Sequence, residues 1–489
     1  MTLTALKAIV DDAASRLRLP SVAVGISLAG EESLYVTGHR AFLVKSADVD
    51  TIYRIGSFSK AFIATAILLL QEQGLLNIDD PVVRYLPDFR FYHEELTSQV
   101  TPRDMLCHRT GLPRHDIANF ANQQRSLAQM AESVRYLEPA YGLRERFHYQ
   151  NHMFGVLSLL VERISGQSWE QFVRERILEP LGMKRTVTRC GAQRQVDDNY
   201  ARSLVLKGGI NLPFINSIDD CTGGAGSISA SVRDMLTWTK FNLERGRIQG
   251  REVLPERIFN EVRTPQIVVG EGDSSAPNLP FISETAYGMA WYIQRYRDEL
   301  LIQHGGMIFG FKAVAGFLPN QEFAFVVLVN QHDSIACEVI SHSLLDVVLG
   351  KEGYDWVSTC LRIRNDEREK NQKETERLLA APTAAPTATP TATSTAAPAA
   401  TGFPQDLTGY YEHPAYGSCQ VLQRGNKLVL SYANLNIRFK PSAVDEFVIH
   451  SNLAGMAFPC HFERSDGQVV ALLIKLDEDL NSYISFTKK

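Results

Sequence analysis

The tetrad Ser57-Phe58-Ser59-Lys60 is followed at once by an apolar run over residues 61–70. The run predicts a buried helix, and side chains three positions apart on a helix share one face, so Ser57 Oγ and Lys60 Nζ can meet. A serine hydroxyl becomes a nucleophile when a neighbouring base takes its proton, and a helix N-terminus favours the negative charge that develops. Taken alone, such a tetrad is more often a helix N-cap followed by a solvated lysine. A catalytic role for Ser57 therefore requires further motifs that supply its partners.

Length and composition indicate a globular protein of at least two domains. The chain has 489 residues, of which 45% are hydrophobic and 21% are charged, and one hydrophobic core rarely serves so long a chain. The net charge of −5 gives no electrostatic reason to expect nucleic acid or an anionic membrane as a partner. Seven cysteines occur without a Cys-x-x-Cys pair, which argues against a disulfide framework and a zinc site. We expect no cofactor and no metal.

The first residues of the chain predict an amphipathic helix rather than a signal peptide, because Lys7 interrupts the apolar stretch and Asp11-Asp12 follow it. No apolar stretch approaches the roughly 20 residues that a membrane-spanning helix requires. The expected setting is therefore soluble, reducing and cytoplasmic.

A segment built from alanine, proline and threonine, residues 380–402, divides the chain. It has no large apolar side chain to bury, so it predicts a semi-stiff linker. We assign residues 1–365 to a catalytic domain, residues 366–402 to a charged helix and the linker, and residues 403–489 to a small antiparallel β-barrel, which would hide the strand edges. The predicted barrel strands lie at 420–423, 427–432, 436–439, 446–449, 469–474 and 482–486.

The first domain mixes strand and helix periodicity. Residues 22–27 and 34–37 predict a β-hairpin, and the β-branched and aromatic run 323–329 predicts a buried strand. Strands at both ends with helices between them indicate an α/β domain whose terminal strands pair in one sheet. The predicted helices lie at 61–73, 154–164, 169–177 and 232–242.

Two further motifs fit a nucleophilic serine. Tyr149-Gln150-Asn151 precedes an apolar helix; a tyrosine beside a lysine ammonium can have a pKa below its usual value near 10 and act as a general base. Asn151 could hold a substrate carbonyl or the lysine. The alternative for Tyr149 is aromatic packing in the core.

His304-Gly305-Gly306 precedes the buried strand, and its glycines allow substrate to approach the backbone, with the Met307 N–H facing the reacting carbonyl. The alternative for His304 is a strand-end histidine bonded to the backbone. The glycine-rich stretch 223–227 lacks the full G-x-G-x-x-G pattern and predicts a structural turn before a helix near Ser231.

In this order the three motifs resemble those of the serine β-lactamase and penicillin-binding protein superfamily, most closely its branch of class C β-lactamases, D-alanyl-D-alanine carboxypeptidases and esterases. Residues 106–113, LCHRTGLP, resemble that family's LLSHTSGLP, and residues 179–183 its EPLGM. The likeness covers roughly residues 5–350. It implies an α/β (α+β) β-lactamase-like fold with a helix-flanked antiparallel sheet and an all-helical lobe. Residues 403–489 resemble the lipocalin-like barrel of some relatives.

The resemblance implies acyl transfer through a covalent acyl-Ser57, with Lys60 and Tyr149 sharing the proton and the backbone N–H groups of Ser57 and Met307 holding the oxyanion. Which of Lys60 and Tyr149 is the base stays open. Where relatives have Lys-Thr-Gly, this chain has His304-Gly305-Gly306. Recognition of a free carboxylate, as in penicillins, is therefore not expected, and an ester, a small peptide amide or a carrier-bound acyl group suits the site better.

Three functions stay open. The first is a serine hydrolase on small-molecule or peptide substrates; the second is an acyltransferase or peptide-releasing cyclase, for example in natural-product biosynthesis; the third is a binding protein that does not turn over. His108, His115 and Asp116 do not complete a metal site. The role of the barrel and the oligomeric state are left open.

Overall fold

The computed structural model describes residues 2–42, 45–121, 125–214, 223–270, 279–380, 403–433, 435–443, 446–451 and 456–489. The chain divides into two compact units. Unit 1 comprises Met1–Arg114 and Gln123–Arg362, and unit 2 comprises His115–Asn122 and Ile363–Lys489. Among the described residues, no helix combines the length and apolarity needed to cross a membrane.

Unit 1 contains a nine-stranded antiparallel sheet in the order β10-β11-β12-β13-β14-β15-β1-β2-β3. The strands before the barrel are β1 (Ser21–Leu28), β2 (Glu31–Ala41), β3 (Lys45–Ser46), β4 (Tyr53–Arg54), β5 (Leu204–Lys207), β6 (Ile210–Pro213), β7 (Ser229–Ala230), β8 (Arg247–Ile248), β9 (Arg251–Glu252), β10 (Ile267–Val268), β11 (Ile282–Tyr287), β12 (Tyr292–Tyr296), β13 (Glu299–Ile308), β14 (Phe311–Leu318) and β15 (Phe323–Val329).

The described residues of both units form α-helices. They are α1 (Leu3–Leu17), α2 (Lys60–Glu72), α3 (Glu94–Gln99), α4 (Pro102–Leu106), α5 (Asp116–Ala121), α6 (Leu127–Ser133), α7 (Asn151–Ser165), α8 (Trp169–Val173), α9 (Gln193–Val196), α10 (Val232–Leu243), α11 (Glu256–Val262), α12 (Ala336–Val348) and α13 (Trp356–Ala380). A 3₁₀ turn, Gly56–Ser59, leads into α2.

The pairing predicted for the ends of the first domain is confirmed. Strand β1 lies between the hairpin strand β2 and β15, with Val22 opposite Val329. Every residue of β15 is buried, which requires cover on both faces, and helices α10 and α12 pack against this strand. The continuous apolar run in the sequence reflects that double cover.

The four predicted helices form, with one difference. Residues 60–70 of α2 are all buried, as the apolar run indicates. Ser231 caps α10 by accepting the Asp234 N–H, and Gly166 ends α7 in the left-handed conformation. The helix expected over 169–177 stops at Val173, and a π-helical turn follows over Arg174–Leu178.

Unit 2 contains a closed eight-stranded antiparallel barrel. Its strands are β16 (Gly409–His413), β17 (Gly417–Arg424), β18 (Lys427–Tyr432), β19 (Leu435–Ala443), β20 (Glu446–Ser451), β21 (Met456–Ser465), β22 (Gln468–Ile474) and β23 (Ile484–Lys488). The six predicted strands are present; β16 and β21 are additional. The predicted linker from residue 381 to 402 lies outside the described residues.

Aromatic side chains fill the inside of the barrel. The Phe447 ring lies 5.5 Å from Phe439 and 5.6 Å from Phe462, and Tyr411 lies 5.9 Å from Phe462. These residues are buried and come from four different strands. An eight-stranded barrel is just wide enough for its own side chains, so this region is a packed core.

Candidate active site

The turn that carries Ser57 leads directly into α2, so the Lys60 side chain reaches back to the serine. Lys60 Nζ lies 3.1 Å from Ser57 Oγ, 2.8 Å from Asn151 Oδ1 and 2.9 Å from the carbonyl oxygen of Ala225. An ammonium group has three N–H donors and no acceptor, and these three oxygens match them. Lys60 is fully buried, so the charge is held by these partners rather than by solvent.

The second motif enters the site from the start of α7. Asn151 is the first residue of this helix, and Gln150 caps it by accepting the His152 N–H. The ring of Tyr149 is buried, with its centroid 4.7 Å from Lys60 Nζ. The structure therefore brings Ser57, Lys60, Tyr149 and Asn151 together around one ammonium group.

Strand β13 packs closely against the turn that carries Ser57, with Gly306 on the strand and Gly56 on the turn at the point of contact. A Cβ on Gly306 would lie 1.9 Å from the Ile55 carbonyl oxygen and 3.0 Å from the Ser57 amide nitrogen. A Cβ on Gly56, which has a φ of +53°, would lie 2.9 Å from the Met307 nitrogen. Only glycine allows this approach. It places the backbone of Met307 beside that of Ser57, although the Met307 side chain is 61% exposed.

His304 is held at both nitrogens of its imidazole ring. Its Nδ1 donates to the Gly305 carbonyl oxygen at 2.6 Å, and its Nε2 accepts from the Tyr287 hydroxyl at 3.0 Å. Burial, aided by the positive charge of Lys60, lowers the pKa of His304 to about 3. Burial also holds the pKa of Tyr287 well above 10, which keeps that hydroxyl a donor. His304 is thus neutral and bonded at both ring nitrogens.

Comparison with known proteins identifies the family of the chain. Residues 6–344 match the family model described as Beta-lactamase. The chain belongs to the β-lactamase family. The resemblance drawn from the three motifs is therefore confirmed, and so is the β-lactamase-like fold class.

Several members of the family and its fold can be compared directly. Unguisins hydrolase ungD' of Aspergillus campestris (strain IBT 28561) is 27% identical over 431 residues, which is 83% of this chain and 76% of that protein. The octameric penicillin-binding protein homologue from Pyrococcus abyssi has a TM-score of 0.61 at 20% identity and covers 100% of both chains. D-amino acid amidase from Ochrobactrum anthropi SV3, solved with L-phenylalanine amide, has a TM-score of 0.58 at 22% identity, covering 71% of this chain and 97% of that chain. These two structures show a shared fold.

Three residues near this β-lactamase-family site carry no functional assignment from the sequence. The ring of His108 lies 4.2 Å from that of Tyr149, and the Arg114 guanidinium lies 5.2 Å from the same ring. Tyr287 binds His304. The LCHRTGLP segment contains His108 but gave no role for it, and nothing in the sequence around Tyr287 marks it. His115 and Asp116 belong to unit 2, and the described residues contain no cluster of His, Cys, Asp and Glu suited to a metal.

Proposed function

We propose that this chain is a serine hydrolase that cleaves an ester or a small peptide amide through a covalent acyl-Ser57. The observation that carries the proposal is the hydrogen bond from Lys60 Nζ to Ser57 Oγ at 3.1 Å, within a buried ammonium site. Any buried ammonium group needs acceptors, but here one of the three is the hydroxyl of the candidate nucleophile, which places a proton-transfer partner within hydrogen-bond reach. The coarser class, a hydrolase of the β-lactamase family, agrees with the unguisins hydrolase relative.

The first half-reaction forms a bond between Ser57 Oγ and the substrate carbonyl carbon, while the serine proton leaves. Because Lys60 already directs its donors to three oxygens, we assign the proton to Tyr149. Tyr149 is the candidate because its ring centroid lies 4.7 Å from Lys60 Nζ, the group that is bonded to Ser57 Oγ. The phenol then protonates the leaving alcohol or amine as the carbonyl bond to it breaks. Water then gives a proton to the same phenolate while its oxygen bonds to the acyl carbon. The bond from that carbon to Ser57 Oγ breaks, and the Tyr149 phenol returns the proton to Oγ, which releases the acid and restores Ser57.

The oxyanion is assigned to the backbone N–H groups of Ser57 and Met307. The glycine contacts that bring these two stretches together support the assignment. One such donor typically contributes about 10²–10³ in rate.

We expect the acyl group of the substrate to lack a carboxylate, because His304 offers no positive charge to bind one. His304, the first residue of the third motif, is a neutral imidazole where relatives have a lysine, and both of its ring nitrogens are engaged in hydrogen bonds. A substrate carboxylate there would lose its hydration without gaining an opposite charge. We therefore propose neutral esters or amides as substrates and expect little hydrolysis of penicillins.

The test compares wild type with Ser57→Ala and Tyr149→Phe on p-nitrophenyl acetate, an aminoacyl p-nitroanilide and a chromogenic cephalosporin. We expect Ser57-dependent turnover of the first two and little of the third, and a loss of about 10²–10⁴ in Tyr149→Phe. Absence of Ser57-dependent turnover would refute the hydrolase. A burst without turnover that added amine or alcohol relieves would instead indicate an acyltransferase.

A further inference from the structure

His108 brackets the catalytic tyrosine along the chain. Its backbone carbonyl accepts the His148 N–H at 2.8 Å, and its Nδ1 accepts the Gln150 N–H at 3.0 Å. The residues immediately before and after Tyr149 are therefore both bonded to one histidine. Its ring also lies against the Tyr149 ring, with centroids 4.2 Å apart and planes tilted by 33°.

The hydrogen bond to Gln150 fixes the protonation state of His108. Since Nδ1 accepts, the ring proton is on Nε2. Burial and the nearby Lys60 charge hold the pKa of His108 well below its usual range. A protonated ring would lose the bond to Gln150 and would place a second cation beside Lys60.

Two features of His108 are unfavourable unless the residue has a task. Its φ of +56° lies in the left-handed region, which costs energy for a residue with a Cβ, although His, Asn and Asp occur there more often than other non-glycine residues. Its Nε2 is buried and has no hydrogen-bond partner among the described residues, a situation that native structures mostly avoid. An apolar side chain would remove the second problem, but it would leave the Gln150 N–H without an acceptor.

The loop that carries His108 is itself held firmly. The carboxylate of Asp104, which is fully buried, accepts from Arg109 Nε at 2.7 Å and from Arg144 Nη2 at 2.8 Å. The backbones of the two arginines are also joined, since the Arg144 N–H donates to the Arg109 carbonyl oxygen at 2.8 Å. His108 is therefore presented to the Tyr149 segment from a fixed backbone.

We infer that His108 is a positioning residue: through the Gln150 N–H bond and the ring contact, it holds the Tyr149 ring beside Lys60. The inference rests on the proposed function, in which Tyr149 carries the proton. It assigns His108 no contact with the substrate.

The test uses the pair His108→Asn and His108→Leu, which are similar in size. The asparagine Oδ1 can take the place of Nδ1 as acceptor and tolerates positive φ, whereas leucine offers no acceptor. His108→Gly is the third variant, because glycine accepts the backbone conformation without strain and also lacks the acceptor. Active sites are titrated with a fluorophosphonate, so that kcat refers to folded, reactive enzyme, and Tm is measured for each.

We expect kcat per titrated site to fall by about 100-fold in His108→Leu and His108→Gly, with KM for p-nitrophenyl acetate nearly unchanged, and to fall much less in His108→Asn. If the histidine served structure alone, Tm would drop while kcat per site stayed at the wild-type value in all three. That result would overturn the inference, as would equal kcat losses in the asparagine and glycine variants. Failure of the wild type to react with the probe would instead refute the proposed function.

Discussion

Replacing Gly306 with alanine tests how closely the sheet must approach the serine turn. The added Cβ would lie 1.9 Å from the Ile55 carbonyl oxygen, and ordinary contact begins near 3.5 Å. Strand β13 and the turn must therefore separate by on the order of 1.5 Å. A misplacement of about 1 Å can cost about 100-fold in rate, so we expect kcat/KM for p-nitrophenyl acetate to fall by at least about 100-fold.

Gly305 provides the matched control, one position earlier in the same strand. Among the residues that the structure describes, a Cβ there would meet only the Ala313 carbonyl oxygen, at 3.6 Å, which is normal contact. We expect Gly305→Ala to keep kcat/KM within a few-fold of wild type and to leave Tm nearly unchanged. Overpacking in Gly306→Ala costs about 1–3 kcal/mol, so Tm should fall without loss of the fold. Wild-type kcat/KM in Gly306→Ala, or equal losses in both variants, would refute the close-approach reasoning.

Three other changes test the buried titratable side chains. Lys60→Met should fold, since apolar replacements of buried charges are often tolerated, yet lose about 10³-fold in kcat/KM for the ester; activity near wild type would exclude Lys60 from the reaction. The unfolded state binds a proton at His304 near pH 6.5, whereas the folded state does so only near pH 3. The free energy of unfolding should therefore decrease as the pH is lowered from 6.5 to 3, by up to about 1.4 kcal/mol per pH unit. Urea unfolding of His304→Asn should show a weaker dependence of this free energy on pH. Asp104→Asn leaves Arg109 and Arg144 without their anion, but solvent reaches both side chains, which are 16% and 49% exposed. We therefore expect the free energy of unfolding to fall by about 1–3 kcal/mol; an unchanged urea midpoint would contradict that role.

Local patterns predict much of the fold. The run 61–70 and strand β15 are buried on every side, and such segments are recognisable because they lack polar positions. Strand β21 was missed because Pro459 interrupts it and proline argues against a strand interior. Strand β16 was missed because its five residues, GYYEH, alternate weakly.

The sequence predicts the residues of the site that lie in short motifs. It does not predict the properties of the site that depend on contacts between distant segments. Ser57 and Lys60 meet as their spacing of three residues predicts. Asn151 accepts from Lys60, one of the two roles that its motif indicates. The sequence could not show that His304 is neutral, because its pKa depends on burial and on the partner Tyr287 from another strand. His108 was likewise hidden, since its bond to Gln150 spans 42 positions.

Mass spectrometry tests the proposal that Ser57 forms a covalent intermediate. The chain is treated with a fluorophosphonate and with p-nitrophenyl acetate, quenched at acid pH, digested, and mapped beside Ser57→Ala. We expect one adduct, on the peptide that contains Ser57-Phe58-Ser59-Lys60, and none in the variant. No adduct, or one that persists in Ser57→Ala, would contradict the assignment of Ser57 as the nucleophile.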